Sequence, residues 1–376
     1  MAAASIAEPI RTGLPFGHEP ISAPGQEPRR CGCEPEARAV DRDTTKSTRL
    51  TWTLLPIFFS SPDTRIGVGA MTNVLLRTVE GTRASSLKLE STFTQNRQFN
   101  LRASSSIWSR SNRYGFDSKI QFQRWPTSFY GIGNDTGRHE REAYRERILL
   151  MTTEVVRLAA PNFYVGLRHD VRYGDLDDFE PGGKLETATV KGSEGGAMIG
   201  LGASMSYDTR DAVLYPTQGV HLRAGTRFFT PVLGSDYTFA RHRLEGRIYR
   251  DLPGVQVLAG QLVAAFASGE PPFQMMSSVG ELLRGYGSSR HIDRHLLAAR
   301  LEYRHTPVQW RIGFVVFGGA AQVAHRIADL DLARFHLSAG VGLRFQVIPS
   351  ENVNLRLDFA FGEGSAGSYL DLGEAF

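Results

Sequence analysis

The chain has 376 residues, a formal net charge of +4, 41% hydrophobic residues and 22% charged residues. This hydrophobic share, together with 22 Phe, 12 Tyr and 4 Trp, excludes a mainly disordered chain. The longest apolar stretch, residues 54–59, is interrupted by Pro56 and is too short for a membrane-spanning helix. A membrane barrel is not excluded, because its strands alternate apolar and polar residues and never build such a run.

The first 48 residues have the composition of a disordered, Pro-rich tail. No basic start leads into an apolar stretch of about 7–15 residues, so a secretory signal is not visible in this segment. Cys31 and Cys33 are the two cysteines of the chain. Their spacing would strain a disulfide, and two thiols are too few for a structural zinc site.

Residues 49–376 form the second predicted unit, in which apolar and polar residues alternate. Residues 353–361 place five apolar side chains on one face and Asn354, Arg356 and Asp358 on the other, and residues 336–347 separate in the same way. This period of two is that of a strand and not of a helix. About sixteen such segments are recognisable, beginning near residues 51, 65, 84, 98, 113, 141, 161, 195, 217, 237, 254, 294, 310, 335, 351 and 368.

Two all-β architectures fit this pattern. A soluble sandwich or propeller would bury the apolar faces, whereas a membrane barrel would turn them toward lipid. Segments of about 9–14 residues exceed the usual soluble strand of about 5–6 residues and suit a tilted membrane strand of about 9–11 residues. Lipid does not tolerate unpaired sheet edges. The sequence therefore predicts a closed antiparallel transmembrane β-barrel of about 16 strands, its neighbours joined by short hairpins.

The final residues, 369–376, resemble the last strand of a bacterial outer-membrane barrel. The signal consists of Tyr369, Leu372 and the terminal aromatic Phe376. Alternation places Leu370, Leu372 and Phe376 on one face. We therefore expect Phe376 to lie at the boundary between lipid and water.

Several motifs, in the correct order, resemble those of the BamA/TamA outer-membrane assembly superfamily, also called the bacterial surface antigen family. Residues 283–286 (Leu-Arg-Gly-Tyr) are similar to the lumen-loop signature of that family, and residues 302–304 (Glu-Tyr-Arg) are similar to its Glu-Tyr-Arg strand. Further similar segments are residues 61–64, 129–134, 207–219 and 339–345. The resemblance covers roughly residues 50–376. It implies a bacterial outer-membrane barrel with a loop folded into its lumen.

Residues 268–293 form the longest polar connection in the C-terminal half, and we expect this loop to lie inside the barrel rather than on the surface. There Arg284 needs partners, because a half-buried unpaired guanidinium is unfavourable. Glu302 and Asp358 are the candidates on inward faces. Gly285 lets the backbone pass close to the wall, and Tyr286 can pack on it while its hydroxyl forms a hydrogen bond.

The chain departs from the family pattern in two ways. Where family members usually carry an Asp after the Glu-Tyr-Arg strand, this chain has Gly319, which leaves Glu302 or Asp358 to pair with the loop arginine. Arg304 and Arg344 belong to the same inward polar faces. The tail is also too short for a periplasmic POTRA domain, so we expect a barrel-only member, with client docking left to a separate periplasmic partner.

We expect no enzymatic activity, no cofactor and no resident metal. The sequence contains no nucleophile elbow, phosphate-binding loop or metalloprotease motif. His291 and His295 are four residues apart, and solvated loop histidines are a simpler interpretation than a metal site. The acidic residues between 175 and 180 leave calcium binding open beside a solvated surface loop.

The resemblance implies that the barrel helps proteins or lipids insert into or cross the outer membrane. The route would be a weak seam between strands near residues 51–58 and 368–376. The expected partners are outer-membrane lipids and client outer-membrane proteins or lipids, with no role for nucleic acid. A passive channel or structural barrel is an alternative that the missing Asp at 319 favours. An outer-membrane enzyme would need a Ser/His pair near one rim, which the sequence does not show.

Overall fold

The computed structural model describes residues 49–61, 65–77, 83–254, 256–305, 311–348 and 353–376. The expected disordered tail, residues 1–48, lies outside the described residues together with both cysteines.

Sixteen antiparallel strands form one sheet, in which almost every strand pairs with its neighbour along the chain. The strands are β1 (Arg49–Ser61), β2 (Arg65–Arg77), β3 (Ser85–Thr94), β4 (Phe99–Trp108), β5 (Tyr114–Phe129), β6 (Glu142–Ala160), β7 (Phe163–Asp177), β8 (Gly196–Asp208), β9 (Gly219–Phe229), β10 (Phe239–Leu252), β11 (Gln256–Gly269), β14 (His295–His305), β15 (Ile312–Ala324), β16 (His336–Ile348), β17 (Val353–Gly362) and β18 (Ser365–Leu372).

The segment between β11 and β14, residues 270–294, is named the lumen loop. It contains β12 (Ser277–Ser278), the one-turn helix α1 (Val279–Leu282) and β13 (Ile292–Asp293), and β12 pairs with β13. Short 3-10 turns lie in this and other loops, at Arg138–Glu140, Pro231–Leu233, Phe273–Met275, Ile327–Asp329 and Leu332–Arg334.

The prediction of an all-β chain with about sixteen strands is confirmed, and each strand begins within three residues of its predicted start. The largest difference concerns β18, which begins at Ser365 and not near residue 368. The hairpin before it is tighter than expected, because Gly364 adopts a φ of +63° that a two-residue turn requires.

The expected alternation of faces is also confirmed. Large apolar side chains point outward, so that Trp52 and Leu337 are each 68% exposed, whereas Asn354 and Asp358 on the inner face are almost completely buried. A continuous apolar outer surface of this kind has no counterpart in monomeric soluble proteins and fits a lipid environment.

Side chains from opposite ends of the strand order meet, which closes the sheet into a barrel. Lys88 on β3 forms an ion pair with Asp371 on β18. Leu75 on β2 packs with Val353 on β17 and with Leu372. In the part of the chain that the structure describes, no backbone pairing joins β1 to β18. The seam between these edge strands is therefore held by side chains rather than by a hydrogen-bond ladder.

The interior of the barrel is not uniformly polar. Where the lumen loop lies against β11, β14 and β15, the inner wall carries Val263, Leu296 and Val323, and these side chains pack with the loop in one apolar cluster. Elsewhere smaller apolar clusters alternate with polar stretches of the inner wall, and open space remains. One cavity of about 650 Å³ lies beside the first strands, and another of about 410 Å³ lies against β7 to β10.

Candidate functional site

The lumen loop is anchored to the inner wall by apolar side chains. Val279, Leu282 and Leu283 are buried against β11, β14 and β15. The loop turns into α1 at Ser278, whose hydroxyl accepts a hydrogen bond from the Gly280 amide at 3.0 Å, an ordinary N-cap. Burying several large apolar side chains stabilises the docked loop by several kcal/mol, at about 1.5–3 kcal/mol for each fully buried side chain.

This packing holds Arg284 between two carboxylates on the barrel wall. Its Nη1 donates to Asp358 Oδ2 at 2.5 Å, and its Nη2 donates to Glu302. The guanidinium also lies 3.4 Å from the centre of the Phe317 ring, which adds a cation–π contact. Both carboxylates are fully buried. The structure thus brings together the loop arginine and the two partners considered from the sequence, and it adds Phe317, which the sequence did not indicate.

The backbone around Arg284 is hydrogen-bonded to side chains of β16 and β18. The Gly285 amide donates to the Tyr369 hydroxyl at 2.7 Å. The Gly285 carbonyl accepts from the Ser365 hydroxyl, and the Arg284 carbonyl accepts from the Ser338 hydroxyl. The predicted role of Tyr369 was only that of a strand signal. In the structure, its side chain points inward and binds the loop.

Tyr286 contributes both packing and hydrogen bonds. Its hydroxyl donates to the Leu337 carbonyl at 2.9 Å and accepts from the Glu363 amide at 3.0 Å. Its ring lies against Gly362, where a Cβ would come within 2.4 Å of a ring carbon. The side chain therefore joins the loop to β16 and to the hairpin between β17 and β18.

Gly285 is required for two separate reasons. Its φ of +98° is one that residues with a Cβ rarely adopt. A Cβ at this position would also lie 2.7 Å from backbone atoms of Phe361 and Gly362. The loop can approach the wall this closely only because residue 285 has no side chain.

Gly319 makes room for the loop. A Cβ at this position would lie 2.7 Å from Leu283 Cδ2. The space that an Asp would fill in the family pattern is therefore occupied here by an apolar side chain of the lumen loop. This explains why Arg284 pairs with Glu302 and Asp358 from other strands.

The ion pairs of Arg284 continue into a larger buried network, named here the lumen charge network. Arg304 pairs with Glu302 at 2.9 Å, and Arg344 pairs with Asp358 at 2.6 Å. Arg344 also pairs with Glu374, which follows β18, at 2.9 Å. The predicted inward residues Arg304 and Arg344 are both only 1% exposed.

The prediction that Phe376 lies at the lipid boundary is wrong. Its side chain is only 6% exposed and lies inside the barrel, packed with Tyr249 and Ala259. Its ring is 4.7 Å from the Arg300 guanidinium, and its carbonyl accepts a hydrogen bond from Arg304 at 2.8 Å. Residues 373–376 therefore do not continue β18.

The physical reason is a change of direction after Leu372. Gly373 has a φ of +87°, which ends the strand, and Glu374 then turns inward to reach Arg344 and Asn354. Leu372 itself is partly buried and packs with Leu75 and Val353, whereas Leu370 is 48% exposed and Phe376 is buried. The prediction that Leu370, Leu372 and Phe376 share one face is therefore also wrong.

A pair of stacked histidines joins the lumen loop to β16, next to α1. His291 stacks on His336 of β16, with ring centres 3.8 Å apart. Nε2 of His291 lies 3.1 Å from a guanidinium nitrogen of Arg290, and Nδ1 lies 3.4 Å from the Thr136 hydroxyl. Burial lowers the pKa of His291 to about 3, and the neighbouring His336 and Arg290 act in the same direction. His291 is therefore neutral in the docked loop.

The residues considered as metal ligands have other contacts. His291 stacks on His336, while His295 lies on β14, at the end of the loop. In the acidic segment, Asp177 and Asp178 form ion pairs with arginines of β6. Among the described residues, no group of three or more His, Cys, Asp or Glu side chains is arranged to hold a metal ion.

Within the described ranges, no helix has the length and hydrophobicity that a membrane crossing needs.

An apolar outer wall, an inner charge network and a long loop fixed within the lumen together define an outer-membrane β-barrel. The Omp85 superfamily domain matches residues 81–376. The chain therefore belongs to the Omp85 superfamily, and the resemblance to BamA/TamA-type barrels is confirmed.

Two solved structures have a similar fold. BamA from Haemophilus ducreyi lacking POTRA domains 1–3 is 15% identical, with a TM-score of 0.52, and the match covers 87% of this chain and 69% of that one. CdiB from Acinetobacter baumannii is 10% identical, with a TM-score of 0.52, and the match covers 86% of this chain but only 59% of CdiB. None of the curated proteins matches this chain.

Replacing Arg284 by Ala should release the loop tip. The substitution leaves Glu302 and Asp358 buried with one fewer cation each, and removing one member of a buried ion pair typically costs about 3–5 kcal/mol. We expect faster proteolysis of the lumen loop and a lower unfolding temperature on heat-modifiability gels. Arg326→Ala, at an exposed arginine that pairs only with Asp329, should leave both properties unchanged. Equal behaviour of the two variants would contradict the role of Arg284.

Gly285→Ala should weaken loop docking even though it adds a single methyl group. The backbone strain alone amounts to roughly 1–2 kcal/mol, and the methyl group also collides with the β17 backbone. The matched control is Gly287→Ala, because a Cβ there meets nothing closer than 3.7 Å. Protease protection of the loop measures the effect. If Gly285→Ala retains full protection, the close approach is not required.

Loop docking should weaken in mild acid because of His291. A released histidine takes up a proton near pH 6.5, whereas the docked one resists protonation until about pH 3. Stability should therefore fall as pH drops through this window and be independent of His291 above it. His291→Gln should flatten the dependence of unfolding temperature on pH, and His139→Gln, at an exposed site, should not. An unchanged slope in His291→Gln would exclude His291 as the source.

Proposed function

We propose that this barrel assists the insertion or translocation of proteins or lipids at the outer membrane, and that the seam between β1 and β18 is the route. The observation that carries the proposal is the difference between this seam and every other strand boundary. Fifteen neighbouring pairs of strands share a backbone ladder, whereas β1 and β18 share none in the described residues.

The contacts that bridge the seam are weak ones. The Lys88 and Asp371 side chains are 25% and 39% exposed, so water screens their attraction, and such pairs contribute about 0–1 kcal/mol. The apolar contacts of Leu75 with Val353 and Leu372 lie near one end of the strands. Opening this boundary therefore requires less free energy than separating any hydrogen-bonded pair of strands.

Open space inside the barrel lies next to the seam. The cavity of about 650 Å³ is lined by Ile57 of β1 and by Leu370 and Asp371 of β18, together with Ser289 of the lumen loop. An incoming strand would find unpaired backbone groups at the edge. It would also have space for its polar side chains on the inner side. The seam and the cavity thus form one continuous candidate path.

The resemblance to BamA/TamA-type barrels supports the same class of activity. Its partners would be outer-membrane lipids and client outer-membrane proteins or lipids, with a separate periplasmic protein delivering the clients. The role proposed here is mechanical and includes no catalytic step, no cofactor and no nucleic acid.

A passive channel is the second candidate. The observation in its favour is the polar wall of the same cavity, where Thr92, Asn100 and Gln123 lie beside the charged side chains of Glu90, Arg102 and Asp371. Such a wall would admit water and small solutes without holding them. Ion conductance in planar bilayers, without an effect on client insertion, would favour this function.

Locking the seam provides a test of the route. We would place cysteines at Lys88 and Asp371, replace Cys31 and Cys33 by Ser, and join the new pair with a short bis-maleimide. Cross-linking should abolish the accelerated insertion of a urea-unfolded barrel protein into proteoliposomes, because the edge strands can no longer separate.

The matched control is a cysteine pair at Arg145 and Asp177. These residues form an ion pair of 3.6 Å between β6 and β7, and those strands already share a backbone ladder. Cross-linking them should leave the insertion rate unchanged. If the seam-locked barrel inserts clients as fast as the control, the seam is not the route. If neither barrel exceeds empty liposomes, the barrel has no insertion activity.

A further inference from the structure

A second charged region of the lumen lies apart from the lumen loop's network. The inner faces of β7, β9 and β10 carry six arginines around the cavity of about 410 Å³: Arg168, Arg172, Arg223, Arg227, Arg241 and Arg243. Arg227 and Arg241 stand directly opposite each other in the register of β9 and β10. The cavity volume falls within the range of small-molecule sites, about 300–1,000 Å³.

The carboxylates of this region are already engaged. Asp170 accepts from Arg168 at 2.9 Å and from Arg227 at 2.8 Å. Glu281, on α1 of the lumen loop, accepts from Arg243 at 3.1 Å. Glu154 and Glu245 are likewise engaged, by Arg223 and by Arg247.

Arg241 is different from its neighbours. It lines the cavity, yet it forms no hydrogen bond or ion pair with any residue in the part of the chain that the structure describes. A partly buried guanidinium beside two others is unfavourable unless an anion accompanies it. Arg241 therefore lies beside Arg227 and Arg243 in the cavity wall, with no carboxylate bound to it in the described residues.

Small residues keep the space in front of these arginines free. Ser204 of β8 and Gly225 of β9 line the cavity. A Cβ added at Gly225 would meet no atom closer than 3.4 Å, so backbone crowding does not require glycine there. Gly225 lies opposite Arg243 in the register of β9 and β10, so a larger side chain at this position would occupy the cavity beside that arginine.

We propose that this cavity is a binding site for a phosphate-type oxyanion, held by Arg241 together with Arg227 and Arg243. Arginine forks match phosphate oxygens. Guanidiniums that converge from two neighbouring strands suit a tetrahedral anion better than a planar carboxylate. The ligand is a free phosphate-bearing small molecule or the phosphate of a lipid headgroup. This site is separate from the seam and does not depend on the function proposed above.

The test is titration calorimetry of the full chain, refolded in a maltoside detergent that contains no phosphate. Inorganic phosphate and a short-chain phosphatidylglycerol are the two probes.

Arg241→Gln should weaken binding of whichever probe the unmodified chain binds about tenfold or more, as expected for the loss of a charge-assisted hydrogen bond. Glu281→Gln should strengthen it, because a competing carboxylate is removed from Arg243. Arg250→Gln, an exposed arginine on the same strand, should have no effect.

Gly225→Val provides a variant that keeps every arginine, and it should abolish binding by filling the cavity. Heat-modifiable migration on gels shows whether each variant is folded. Binding of phosphate assigns the site to a free anion, whereas binding of the lipid alone assigns it to a headgroup. The proposal is overturned if neither probe binds, or if Arg241→Gln and Gly225→Val bind as well as the unmodified chain.

Discussion

The arrangement of the lumen depends on charges that are buried and must be shared. Arg284, Arg304 and Arg344 face Glu302, Asp358 and Glu374, so three cations meet three anions inside the barrel. Glu302 and Asp358 each contact two of these arginines. Removing any member of the network would therefore leave the charge of another member without its partner. Three segments that are distant in sequence, the lumen loop, the wall strands and the residues after β18, are thereby fixed in one geometry.

The sequence predicts the strands well for a physical reason. Each strand has one face toward lipid. The alternation of apolar and polar residues therefore shows which side chains face lipid and which face the lumen. The partners of Arg284 could also be anticipated, because a buried guanidinium restricts the choice to inward carboxylates. The reversal at Gly373 could not, since Glu374 is the single exception to the alternation of residues 369–376 and does not by itself reveal that the strand has ended. Contacts between distant segments, such as Leu283 with Gly319 or His291 with His336, leave no periodic signal at all.

The lumen is divided into two unequal parts. Against β11, β14 and β15 it is filled by the lumen loop through apolar packing. Against the first strands it is largely open, with a polar wall. The open part borders the only strand boundary in the described residues that lacks a backbone ladder. The packed part and the open part are therefore neighbours, since Ser289 of the lumen loop lines the open cavity and Tyr369 of the edge strand β18 binds the loop.

The enclosed position of the lumen loop constrains how the chain reaches its native form. Hairpins between successive strands are local and form readily, but Gly285 and Tyr286 bind residues 51 to 84 positions further along the chain. Leu185 of a different connection packs with Phe273 of the loop and with Phe129 of β5. Local hairpin formation alone therefore does not provide the partners of the loop, and its docking requires strands from distant parts of the chain to be in place.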